Sequence, residues 1–115
     1  MQSTSLFTVS APEGISAPML LNQSPTIILV VWTAPQSPNG EILQYLIERR
    51  LQDKPGTVSV VAILQADEAL QFRDESEDIE ASTTYEYRIV AETQAGKGYG
   101  PWASITTRSA SKTFY

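Results

Sequence analysis

The chain of 115 residues has neither cysteine nor histidine. Without cysteine there is no disulfide or thiolate–metal chemistry to consider, and nothing reports the redox compartment. Without histidine the commonest general base and metal ligand is missing. Basic residues number eight against thirteen acidic ones, for a net charge of −5, and they are scattered. No positive stripe is present to neutralise phosphates, so nucleic acid is not an expected partner. The longest apolar run, residues 27–32, falls far short of the roughly 20 residues of a membrane helix. Direct membrane insertion is therefore not expected. Met1 is followed by the polar Gln2-Ser3-Thr4-Ser5 rather than by the basic start and apolar core of a signal peptide. If the parent protein is secreted, the chain reads as an excised piece of it.

What is present is a strand pattern. Tyr85, Tyr87, Ile89 and Ala91 fall on odd positions, while Glu86, Arg88 and Glu92 take most of the even ones. That period of two belongs to a strand with one buried face. The turn-prone Ser82-Thr83-Thr84 precedes it, and Ile79 lies just upstream. Together they predict a tyrosine corner, in which the Tyr85 phenol bonds upstream backbone and pins a crossing between two sheets.

The remaining segments repeat the theme. Residues 15–21 are apolar around Pro18, which suits an edge strand, and residues 22–25 read as a turn. Residues 26–32 are largely β-branched, with Ile28, Val30 and Trp32 directed inward. Ile27, Leu29 and Val31 then point outward, where polar residues are usual. They are expected to be covered by a neighbouring segment or to form an adhesive patch. Residues 33–40 form a loop by their two prolines and Asn39-Gly40. Residues 43–50 and 58–64 read as a hairpin with Tyr45 and Ile47 inward, and 70–72 as a short strand with Phe72 buried. Residues 94–101 read as a glycine-rich loop, and 102–109 as the closing strand. About seven short strands without a helix predict an all-β sandwich in a single domain.

The residues resemble a fibronectin type III module from about Pro12 to Ser109. Trp32 matches the second-strand tryptophan, Pro38-Asn39-Gly40-Glu41-Ile42 the following loop, and Tyr45 the third-strand tyrosine. Ile79 and Tyr85 match the tyrosine corner, although Ala81 stands where that family usually has proline. Gly96, Gly98 and Gly100-Pro101 match the ending of the strand that carries Ala91. The resemblance implies a seven-stranded immunoglobulin-like antiparallel sandwich in which Trp32, Tyr45, Tyr85 and Tyr87 are structural. It also implies a non-catalytic spacer and protein-interaction module of a tandem-repeat extracellular or cell-surface adhesion-type protein. Its partners would be neighbouring modules of the same chain and other proteins. The alternative is an intracellular cytoskeletal or muscle scaffold module.

No constellation for catalysis emerges, and no cofactor or metal site is expected. Gly96-Lys97-Gly98-Tyr99-Gly100 lacks the helix a phosphate loop requires. The acidic run from Asp74 to Glu80 lacks the glycine-bearing spacing of a calcium loop and reads as a solvated connection. Protein contacts are expected at Pro38, Asn39, Lys97, Tyr99, Ile27, Leu29 and Val31, with Tyr99 as the main anchor. Asn22-Gln23-Ser24 is a glycosylation sequon, with Pro25 after it disfavouring use. Arg88 faces outward near Trp102, close enough in pattern for a cation–π contact.

An internal repeat bears on the boundaries. Residues 5–11 align with residues 104–110 at an offset of 99, close to the roughly 100 residues of one such sandwich. Residues 1–11 accordingly read as a linker carrying the last strand of a preceding module, residues 12–109 as the domain, and 110–115 as a C-terminal linker.

Overall fold

The computed structural model describes residues 10–110, which form strands, turns and loops without a helix. The strand expected at residues 6–9 lies outside the described residues. The segments are β1 (Met19–Ser24), β2 (Ile27–Val31), β3 (Gln44–Leu51), β4 (Lys54–Gln65), β5 (Gln71–Asp74), β6 (Thr84–Thr93), β7 (Gly96–Tyr99) and β8 (Ala103–Thr106). One antiparallel sheet has the order β1-β2-β5; the other runs β4-β3-β6, with β7 and β8 on the far side of β6. β8 pairs the first half of β6 and β7 the last part. They are one strand interrupted at Gly100-Pro101-Trp102, because proline cannot donate to the ladder. The eight segments thus amount to the seven strands of the sandwich.

Two boundaries differ from the sequence reading. The first strand starts at Met19 and continues to Ser24, so the turn shrinks to Pro25-Thr26. The cause is the Asn22 side chain, whose amide donates to the carbonyls of Ser24 and Ile27 and closes the hairpin tightly. The glycine-rich stretch is a strand rather than a loop, turning only at Gln94-Ala95. Gly98 and Gly100 make room for the incoming chain. A Cβ on Gly98 would collide with the Pro12 carbonyl, and one on Gly100 would sit 2.6 Å from Ile15 Cγ2.

The core lies between the sheets. Ile28, Val30 and Trp32 meet Tyr45, Ile47, Tyr85, Tyr87, Ile89 and Ala91, with Ile15 and Ile79 at its margins. Trp32 and Tyr45 pack edge to face at 5.7 Å between ring centres, a geometry aromatic pairs favour. The tyrosine corner forms as the pattern requires: the Tyr85 hydroxyl accepts from the Glu80 N–H at 2.7 Å and donates to the Asp78 carbonyl at 3.3 Å.

A buried ion pair also joins the two sheets. Arg49 on β3 and Tyr87 on β6 are direct cross-strand neighbours. Both point inward and donate to Asp74 Oδ2 on β5, at 2.8 and 2.7 Å. Asp74 Oδ1 accepts from the backbone and hydroxyl of Ser76. Asp78 grips the other end of the Arg49 guanidinium with both oxygens at 2.8 Å. The acidic run is therefore not uniformly solvated: Asp74 is fully buried, because its charge is neutralised and all its lone-pair directions are used. Burial alone would raise the Asp74 pKa, but Ser76, Tyr87 and Arg49 outweigh it and hold the carboxyl below its ordinary range. Burial, then the Asp74 carboxylate, push the Tyr87 phenol well above its ordinary value.

Two expectations follow. Because the folded pKa of Asp74 is depressed, the unfolded state binds more protons in the acid range. Its contribution is complete above about pH 4, the ordinary carboxylate range, and is lost as pH falls through the lower folded value. Asp74→Asn should destabilise the fold by about 3 kcal/mol or more, since it leaves Arg49 buried without its main partner. Urea titrations from neutral to acid pH should also show a flatter acid limb for this variant. Tyr85→Phe should cost about 1–2 kcal/mol with an unchanged far-ultraviolet spectrum, because the corner loses its bonds while the ring stays packed.

Candidate functional site

The outer face of the larger sheet carries the most organised surface chemistry among the described residues. Even-numbered side chains of β3 and β6 share this face, and the register sets Gln44 opposite Glu92, Leu46 opposite Val90, Glu48 opposite Arg88, and Arg50 opposite Glu86. Each charged pair is complementary. Arg88 Nε donates to Glu48 at 2.7 Å, Arg50 Nε to Glu86 at 2.6 Å, and Gln44 Nε2 to Glu92 at 2.8 Å.

Trp102, at the break between β7 and β8, lies beside both arginines. The Arg50 guanidinium carbon is 3.9 Å from the centre of its ring and that of Arg88 4.5 Å; Arg88 is also 4.6 Å from the Tyr99 ring. The result is a ladder of Tyr99, Arg88, Trp102 and Arg50, with Glu48 and Glu86 flanking it. Each cation–π contact contributes about 0.5–1 kcal/mol at an exposed site and more when dry. Leu46 and Val90 are buried although they face outward.

The sequence pointed to Arg88 and Trp102 but missed Arg50. Its outward parity was visible beside Glu48. What could not be read was that the break at Pro101 sets Trp102 between two strands' arginines.

The other sequence-derived positions fall in several places. Tyr99 sits on β7 instead of a loop tip and remains 54% exposed. Lys97 is exposed opposite Glu92. Asn39 adopts a left-handed φ of 60°. Its side-chain amide donates to the Ala11 carbonyl at 3.0 Å, and its own carbonyl accepts from the Ser10 N–H at 2.9 Å. Thr93 Oγ1 donates to the Ser10 carbonyl at 3.0 Å. Asn39 thus clamps the incoming chain, beside the half-buried Pro38.

Ile27, Leu29 and Val31 are half-buried on the outer face of the smaller sheet. Leu21 and Met19 are paired with Leu29 and Val31 there and stand exposed. Asn22 is engaged at both ends of its amide, since its Oδ1 also accepts from the Arg108 N–H at 2.7 Å. A sugar on Nδ2 would compete with the bonds that close the β1–β2 hairpin. Among the described residues no three acidic side chains converge as a metal site.

Arg88→Ala should remove the guanidinium shared by Trp102 and Tyr99 and leave Glu48 unpaired. Stability should fall by about 1–2 kcal/mol, and Trp102 emission should move to the red as its ring meets water. Arg88→Lys should recover the ion pair but little of the stacking, because ammonium lacks the planar face. Fluorescence and chemical denaturation of the two variants check this.

The model of the family described as "Fibronectin type III domain" matches residues 10–108. Human usherin is 33% identical over 109 residues, covering 93% of this chain and 2% of that protein. Rat usherin is 37% identical over 98 residues, 84% of this chain and 2% of that protein. Mouse protein sidekick-2 is 31% identical over 96 residues, 84% of this chain and 4% of that protein. Among solved structures, the sixth fibronectin type III domain of human fibronectin type III domain containing protein 3 superposes with a TM-score of 0.75 at 20% identity, covering 92% of this chain and 94% of that one. The fn3 domain of human collagen alpha-1(XX) gives 0.71 at 20% identity, covering 99% and 98%. These structures share the fold. With its Trp32 core, its tyrosine corner and its relatives in usherin, the chain belongs to the fibronectin type III family.

Proposed function

We propose that this chain is a non-catalytic spacer and protein-interaction module of a tandem-repeat protein of the extracellular or cell-surface adhesion type. The observation that carries the reading is where the chain enters and leaves the sandwich. Ser10 is bonded to Thr93, the last residue of β6. At the other end of the same strand, Thr107 bonds Thr83 through backbone and side chain. Chain entering at one pole therefore leaves at the opposite pole, separated by the ten residues of β6, about 33 Å at strand rise. A module built this way adds length when linked in series.

The assignment to an adhesion-type parent is supported by the likeness to usherin and sidekick-2 along most of the chain. The likeness to titin domains, at 17% identity, speaks for the fold alone. Tyr99, with Lys97 beside it, and the apolar strip of Ile27, Leu29 and Val31 supply contact area for other proteins.

Two copies joined through residues 1–10 and 108–115 test the serial reading by small-angle X-ray scattering. The maximum dimension should grow by about 30 Å or more over the single copy. A two-copy chain folded back side by side, with little growth in length, overturns the spacer role.

A further inference from the structure

We infer that β4 is a docking edge for a second copy of this chain, forming a sheet continuous across two molecules. The inference develops the interaction half of the proposed function and is independent of its serial half.

β4 ends the larger sheet and pairs only with β3 among the described residues. It runs from Lys54 to Gln65 and is the longest strand present. An open edge offers a row of backbone N–H and C=O groups that an extended strand satisfies. The molecule closes or blunts its other edges. β7 is crossed by Pro12, close against Gly98. β8 lies against β1, and their ends are tied by Asn22 to Arg108. β5 is four residues long and carries Arg73 and Asp74. Residues 55–66 contain no charged side chain, and among the described residues β4 is blunted only by Pro55 and a bulge at Val61. The bulge divides the regular part of the strand into residues 59–60 and 62–65.

The side chains on this edge indicate the occupant. Val58, Val60 and Ile63 are 41%, 46% and 57% exposed. Across β3 they stand beside the Arg88–Glu48 and Arg50–Glu86 pairs, whose charges are already cancelled. A twofold interface brings each surface against itself, so it tolerates no patch of one sign. This uncharged, β-branched strand sets no like charges against each other across a twofold, while the net charge of −5 on each copy opposes association and keeps it weak. Two copies meeting antiparallel set valines and isoleucine against their counterparts and extend the hydrogen-bond ladder. The apolar outer face of the smaller sheet specifies no occupant. Edge pairing of a few residues buries less than the roughly 1,200 Å² of a standard interface, so the dimer is weak and forms only at high local concentration.

Sedimentation equilibrium of the full chain, from micromolar to millimolar protein, tests this. The weight-average mass should rise reversibly from monomer toward dimer. Val60→Lys and Ile63→Lys set like charges across the twofold and should move the midpoint upward by about tenfold or more. Both positions are exposed, so an unchanged thermal melt shows that the variants fold. Leu21→Lys, on the other sheet's face, should leave association unchanged. Amide exchange in β4 should slow as concentration rises. A chain monomeric throughout the range overturns the inference, and so does a dimer insensitive to Val60→Lys or dissolved by Leu21→Lys.

Discussion

The carboxylate of Asp74 is the point on which the two sheets agree. It is the one fully buried acidic group among the described residues, and a charge in that environment persists only when it is paired and hydrogen-bonded on every side. Satisfying it requires Arg49 and Tyr87 to lie side by side, which fixes the register of β3 against β6. It requires β5 to bring Asp74 across from the smaller sheet, and residues 75–80 to fold so that Ser76 reaches back. The tyrosine corner begins where that turn ends, at Asp78 and Glu80. Hydrophobic burial drives the sheets together, but it is indifferent to small slips. The buried ion pair penalises them.

Much of this architecture was legible in the sequence, and the limits have physical reasons. Alternation exposes a strand whose two faces see different solvents, so residues 85–91 and the inward set of Ile28, Val30 and Trp32 could be read directly. The tyrosine corner was readable because its bonds are local. Arg49 had its inward parity in plain view. Its partner was hidden in an acidic stretch of another sheet, where composition suggests solvent. The glycines at and after β7 misled because their usual meaning is conformational freedom. Gly96 has it, with a φ of 139°, but Gly98 and Gly100 answer to steric contact with Pro12 and Ile15, which no local pattern reveals. Asn39 was read as a surface contact for the same reason: its role depends on a segment 28 residues away.

The relatives show how little of the sequence the fold consumes. Solved domains at 20% identity superpose over nearly the whole length, so the shape is kept while most side chains differ. In this chain the surface features are the ladder of Arg50, Trp102, Arg88 and Tyr99 and the uncharged stretch of β4. The matched usherin sequence is about fifty times longer than the matching region, since this chain covers 2% of it.

The placement of the chain's two attachments on β6 has a mechanical consequence. Tension applied through Ser10 and Arg108 runs nearly parallel to the strands, whereas antiparallel hydrogen bonds lie perpendicular to them. The load therefore shears many bonds at once instead of peeling them singly. The Asn39 and Thr93 clamps at one pole and the Thr83–Thr107 pair at the other are the first to feel it. Those polar bonds and the ladder of β6 lie in one load path, so the module resists extension as a unit.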